Sequence, residues 1–197
     1  MAKSSSREKK LIRVPSDIVA KLNEAANKAG KSFYDYTSEL LEQALRCNEF
    51  GRPLKEIMDF FELMTLQRNA GLIITFSDLL NYLISLLYPK QERELHEKWY
   101  EAGVWYGTYL QVKFRNRNIL DVFAKILSES WWELNEVNLA KEREGFTLRC
   151  VSFTLSLERT KLLTSFLEGV INSIGYEVLE KDCIRGMIIL HFAEKRS

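Results

Sequence analysis

The chain opens on a segment that cannot fold alone. From Lys9 to Val14 the pattern is that of a short strand, with Lys9, Leu11 and Arg13 facing one way and Lys10, Ile12 and Val14 the other, and Pro15 ends it. A single strand of this length leaves its backbone groups unpaired and its apolar side uncovered. The residues after Pro15 have helical spacing, so the strand requires a partner, and the simplest partner is a second copy of itself.

Pro15, Ser16 and Asp17 supply helix-start chemistry, and Ile18, Leu22, Ala25, Ala26 and Ala29 form the stripe of an amphipathic helix that Gly30 stops. Ser32 then stands as an N-cap with Asp35 in capping-box position, ahead of a second stripe of Phe33, Tyr36, Thr37, Leu40, Leu41, Ala44 and Leu45. Two strands paired antiparallel about a twofold axis, with four such helices beneath, would put Ile12, Val14, Leu22, Leu41 and Leu45 in a core. Lys9, Leu11 and Arg13 of both copies would then share one solvent face. A two-stranded ribbon fits the DNA major groove, where Arg can bond guanine bidentately and an apolar side chain can touch a thymine methyl. The net charge is only +1, but Lys3, Arg7, Lys9, Lys10 and Arg13 crowd the first thirteen residues against Glu8 alone. Such an arm either approaches phosphates or is simply solvated.

Leu11-Ile12-Arg13-Val14-Pro15, the helix ending in Ala29-Gly30, Lys31-Ser32 and the helix containing Ser38 to Leu45 together resemble the ribbon-helix-helix family of repressors, of the Arc, MetJ and CopG type, over residues 8–47. The resemblance implies base reading by Lys9, Leu11 and Arg13, and a phosphate clamp at the start of the second helix made by Ser32 and Lys31, where free amides and the helix dipole favour an anion. Leu11 departs from the polar residue usual at such a position and limits readout there to apolar contact. The stretch Phe33 to Thr37 is longer than the usual gap after the glycine, so the second helix starts earlier or the clamp is displaced.

The segment 49–53, with Gly51 and Pro53, breaks the periodicity and divides a module at 1–48 from a larger part at 54–197. In that part, stripes predict helices from Leu54 to about Asn69, between Ser77 and Pro89, from about Gln91 to Phe114, and from Ile119 to about Trp132; Leu72 to Phe76 is ambiguous and could be extended. Alternation predicts a hairpin of Val137–Arg143 with Phe146–Leu155, then a helix from Leu157 to Ile174. A second hairpin joins Tyr176–Leu179 to Met187–Phe192 around Arg185-Gly186. The fold class is α+β, with helices on one face of an antiparallel sheet. This order, with the glycines of Gly103-Val104-Trp105-Tyr106-Gly107 and at the hairpin turns, is similar to the fold of 4-vinyl-reductase-type domains and transport-particle small subunits. That resemblance implies dimerisation or a small hydrophobic effector, with Trp99, Trp105, Tyr106, Trp131 and Trp132 as the candidate pocket; aromatic residues filling a core is the competing reading. Gly103 and Gly107 in a soluble helix point to close backbone packing.

Cys47, Cys150 and Cys183 stand far apart, and His96 and His191 are the only histidines, so no zinc framework, metal or other cofactor is expected. No apolar run reaches membrane-spanning length and the opening residues lack a secretory core, which predicts a cytoplasmic protein. No nucleophile set, phosphate-cradling loop or compelling carboxylate pair is visible, Glu133 and Glu136 reading as surface charges, so an enzyme is not expected. The expectation is a homodimeric, sequence-specific DNA-binding regulator, with tetramer formation left open. An antitoxin-like or scaffold protein whose larger domain binds another protein is the alternative.

Overall fold

The computed structural model describes residues 10–131 and 133–195. Contacts divide the chain into two compact units, Met1–Met58 and Asp59–Ser197. The first unit holds α1 (Ser16–Lys28) and α2 (Phe33–Glu49), and the division falls inside α3 (Leu54–Asn69).

In the first unit Pro15, with φ −54 and ψ 141, leads into α1 without a side-chain cap. The helix ends where the Lys31 amide donates to the Ala26 carbonyl at 3.0 Å, a closure that needs the left-handed backbone of Gly30 at φ 64. Ser32 caps α2 by accepting from the Asp35 amide at 3.1 Å. Only Ala26 is buried along α1, and no residue of α2 is.

The second unit continues with α4 (Ser77–Lys113), α5 (Ile119–Ser130), β1 (Glu136–Glu142), β2 (Gly145–Val151), α6 (Leu157–Ser173), β3 (Tyr176–Ile184) and β4 (Met187–Glu194). The fold class is α+β, with six helices among the described residues and an antiparallel sheet in the order β1-β2-β4-β3. The two helices expected at 77–89 and 91–114 are both present and run on from one another as α4, meeting at a kink where Gln91 is non-helical, with φ −131 and ψ 24. Pro89, which lacks an amide proton for the helix ladder, stands two residues before the kink. Residues 72–76 adopt neither helix nor strand.

Inward residues of the central strands, Leu148 and Cys150 of β2 and Ile188, Leu190 and Phe192 of β4, meet Leu163, Leu167, Val170 and Ile171 of α6 and Phe123, Ile126 and Leu127 of α5. Gly145, at φ 122, makes the β1–β2 turn and lies so close to the Phe192 carbonyl that a methyl group would overlap it. Helix α6 lies along α4 through glycines on both: a methyl at Gly103 would strike the Phe166 carbonyl, and one at Gly169 the Tyr100 carbonyl. The G-x-x-x-G spacing therefore reports close approach of two backbones.

Candidate nucleic-acid interface

Residues 10–15 are not a strand. They run without regular structure ahead of α1, and Lys9 lies outside the described residues. Among the described residues of the first unit nothing offers a strand edge, and a strand without a partner has no ladder to join. Leu11 is 93% exposed, Ile12 67%, and Arg13 is exposed beside them.

The core expected beneath the ribbon is likewise not closed within one chain. Leu22 is half-buried, with Val19, Ala25, Tyr36, Thr37 and Ala44 around the α1–α2 contact. Val14, Leu41 and Leu45 are exposed, Leu45 to 65%. Leu40, Leu41 and Leu45 share one side of α2 because they recur at helical spacing, so this helix carries a continuous apolar flank facing solvent.

At the start of α2 the side chains expected to clamp phosphate already have partners. The Ser32 hydroxyl donates to the Asp35 carboxylate at 2.6 Å while accepting from its amide. Lys31 is ion-paired with Glu39. Both contacts are exposed, and exposed pairs are worth little, so an arriving phosphate could displace them.

In the second unit the aromatic residues of the expected effector pocket do not converge. Tyr106 is buried, packed against Trp131 at 6.4 Å and Phe166 at 5.8 Å between ring centres. Trp105 points the other way, exposed, and stacks on Tyr109 at 5.6 Å. Trp99 packs between the main core and the smaller cluster of Ile84, Tyr88 and Leu162, and Trp132 lies outside the described residues. These rings mostly fill space, although the Tyr106 hydroxyl is buried with no hydrogen-bond partner. A surface depression lies elsewhere, lined by Glu177, Leu179, Ala193, Glu194 and Lys195.

Two polar clusters escape a reading of the sequence. Arg159 of α6 is only 5% exposed and pairs with Glu133, which is therefore not the surface charge expected of it. The guanidinium also donates to the Ser77 hydroxyl at 2.8 Å, tying the starts of α4 and α6 to the loop after α5. An arginine on a helix otherwise inward-facing at Leu162, Leu163 and Phe166 is the available signal. In the second cluster His96 lies between Ser165, 2.7 Å from Nδ1, and Tyr88, 3.0 Å from Nε2, and Tyr88 donates onward to Glu92 at 2.7 Å. Burial pushes the imidazole below its ordinary pKa. One proton arrangement satisfies all four groups: Ser165 donates to Nδ1 and the Nε2 proton goes to Tyr88.

Among the described residues no group of three or more His, Cys, Asp or Glu side chains is placed to hold a metal ion, and no helix is long and apolar enough to cross a membrane. The chain matches no family model, no curated protein and no solved structure.

Proposed function

We propose that the chain is a homodimeric DNA-binding regulator of the ribbon-helix-helix type, in which residues 9–14 of two copies pair and enter the major groove. One observation carries this reading. Helix α2 is a 17-residue amphipathic helix with nothing buried, and in the same unit Leu11, Ile12 and Val14 ahead of α1 are all exposed. A second copy covers both at once: strand pairing satisfies the backbone of 9–14, and Ile12, Val14, Leu41 and Leu45 meet across the axis. Arg13 is then left facing outward on the ribbon.

Selection of bound sequences from random duplexes tests the reading, at two salt concentrations so that phosphate contacts and base contacts separate. Arg13→Ala is expected to weaken binding to the selected duplex by about fivefold to 150-fold, the equivalent of about 1 to 3 kcal/mol, with the dimer intact by light scattering. Unchanged affinity would count against readout by the ribbon. The second reading is a dimerising scaffold without DNA affinity, in which Lys31 stays with Glu39 and Ser32 with Asp35. Failure to enrich any sequence, together with a flat salt response, is what that reading expects.

A further inference from the structure

The first stretch of α4, from Ser77 to its bend, is fixed on one side and bare on the other. On the fixed side Ile84 and Tyr88 are buried against Leu162, Asn81 donates to the Thr154 carbonyl at 2.8 Å, and Arg159 reaches Ser77. On the bare side Leu79, Tyr82, Leu83, Leu86 and Leu87 are each at least 47% exposed, preceded by Phe76. A helix end that frays loses both faces; here one is held by buried and hydrogen-bonded groups, so the exposed one is presented as a rigid surface. Contiguous apolar surface of this kind marks an interaction site.

Three features say what covers it. Leu79, Leu83, Leu86 and Lys90 are spaced four, three and four residues apart, the seam of one helix packing on another at a shallow angle. Between Ser77 and Lys90 the only charged residues are Asp78 at the start and Lys90 at the end. A parallel pair of such helices would set Asp78 on Asp78 and Lys90 on Lys90, whereas an antiparallel pair sets each against its opposite. A helix lying on lipid would carry a basic polar face, which this segment lacks.

We propose that this face packs on the same face of a second copy, antiparallel about a twofold axis passing near Leu83. The contact is isologous, so self-complementarity is all it needs. It deepens the dimeric reading above and rests on it in one respect: pairing of the N-terminal segments would hold the second copy at about millimolar effective concentration.

Cysteine cross-linking of the full chain tests it, in a background carrying Cys47→Ser and Cys183→Ser. Cys150 stays, since burial pushes its thiol up to about 12. Leu83→Cys is expected to give a covalent dimer under mild oxidation, because two copies of residue 83 meet at the axis. Asp78→Cys alone should give none, and Asp78→Cys combined with Lys90→Cys should give dimer in high yield. Residues 78 and 90 lie about 18 Å apart along one helix and cannot close on themselves. Adding Leu86→Glu, an exposed change that leaves the fold intact by circular dichroism, should cut that yield at least tenfold. No cross-link at 83 overturns the proposal, as does dimer from Asp78→Cys alone, which would mean parallel packing. Flotation of an uncross-linked chain with anionic vesicles would overturn it too. The two readings fail separately: cross-linking without DNA binding sinks the ribbon, and DNA binding without cross-linking sinks this contact.

Discussion

Helices α2 and α6 are both 17 residues long, yet eleven residues of α6 are buried and none of α2. The difference does not lie in helix-forming signals, since each has a serine N-cap that accepts from the amide three residues on. It lies in what the rest of the chain provides. Helix α6 has a sheet on one side and α4 on another, and its neighbours supply Leu148, Leu190 and Phe192 against Leu163, Leu167 and Val170. The contact that α2 makes most extensively is with α1, and it buries no residue of α2. A helix of this length gains little stability from propensity alone, so α2 depends on covering its apolar flank.

The largest test of this contrast is a pair of matched substitutions. Leu167→Ala, at a fully buried position, should destabilise the chain by about 3 kcal/mol, read as a lowered midpoint in chemical unfolding that does not depend on protein concentration. Leu45→Ala should behave differently. On a lone surface helix it costs under about 0.5 kcal/mol, but across a dimer axis it should cost more and make the midpoint rise with protein concentration. A concentration-independent, near-zero effect at Leu45 would leave the contrast standing and remove the second copy as its explanation.

The next test sets a buried ion pair against an exposed one. Arg159 and Glu133 have side chains 6% and 18% exposed, while Lys28 and Glu24 on α1 are 74% and 68% exposed. Glu133→Ala leaves a buried guanidinium with the neutral Ser77 and Asn81 as its remaining acceptors and should cost about 3 kcal/mol. Glu24→Ala should cost about 0.3 kcal/mol or less. Equal effects in thermal unfolding would mean that solvent reaches Arg159 as freely as it reaches Lys28.

Legibility in the sequence divides along the same line. In the second unit each hairpin carries its own turn glycine and α6 its own cap, so the elements are legible locally; β3 runs on past the expected Leu179 to Ile184, an extension hidden because residues 179–182 are exposed and break the alternation. The kink in α4 is legible because Pro89 marks it, within two residues of the non-helical Gln91. Glu133 reads as a surface charge because nothing local distinguishes an exposed carboxylate from the partner of an arginine 26 residues away. In the first unit residues 10–15 form no strand, and the pairing with a second copy proposed for them is something one sequence can imply and one chain cannot display. The aromatic pocket rests on residue type, and type alone does not separate Tyr106, turned into the core, from Trp105, turned out.

Tyr106 offers a smaller and sharper test. Its hydroxyl is buried without a partner, and leaving a buried donor unpaired costs free energy. Tyr106→Phe removes that hydroxyl with the ring packing kept, and should raise stability by about 1 kcal/mol. A loss of stability would show that the hydroxyl is satisfied, and would return the space around Trp131 and Phe166 to consideration as a binding site.

The smallest expected effect is a pH dependence at His96. Its neighbours pull in opposite directions: Glu92 and Glu168 favour the charged ring and Lys161 and Lys181 oppose it, but burial outweighs them and the folded-state pKa lies below the ordinary value. Protonating Nδ1 would also force the Ser165 hydroxyl to turn away, toward the Lys161 carbonyl 3.5 Å from it. As pH falls through about 6.5 the unfolded chain therefore takes up this proton before the folded chain does, and stability drops from there down to the folded-state pKa. Above that window both states are neutral and the group contributes no slope. The melting temperature of the second unit should decline modestly as pH falls below about 6.5 in the native chain, and that decline should flatten in His96→Gln, whose amide can hold Ser165 but cannot titrate. A slope unchanged by the substitution would assign the proton uptake to another group and leave the His96 cluster as packing alone.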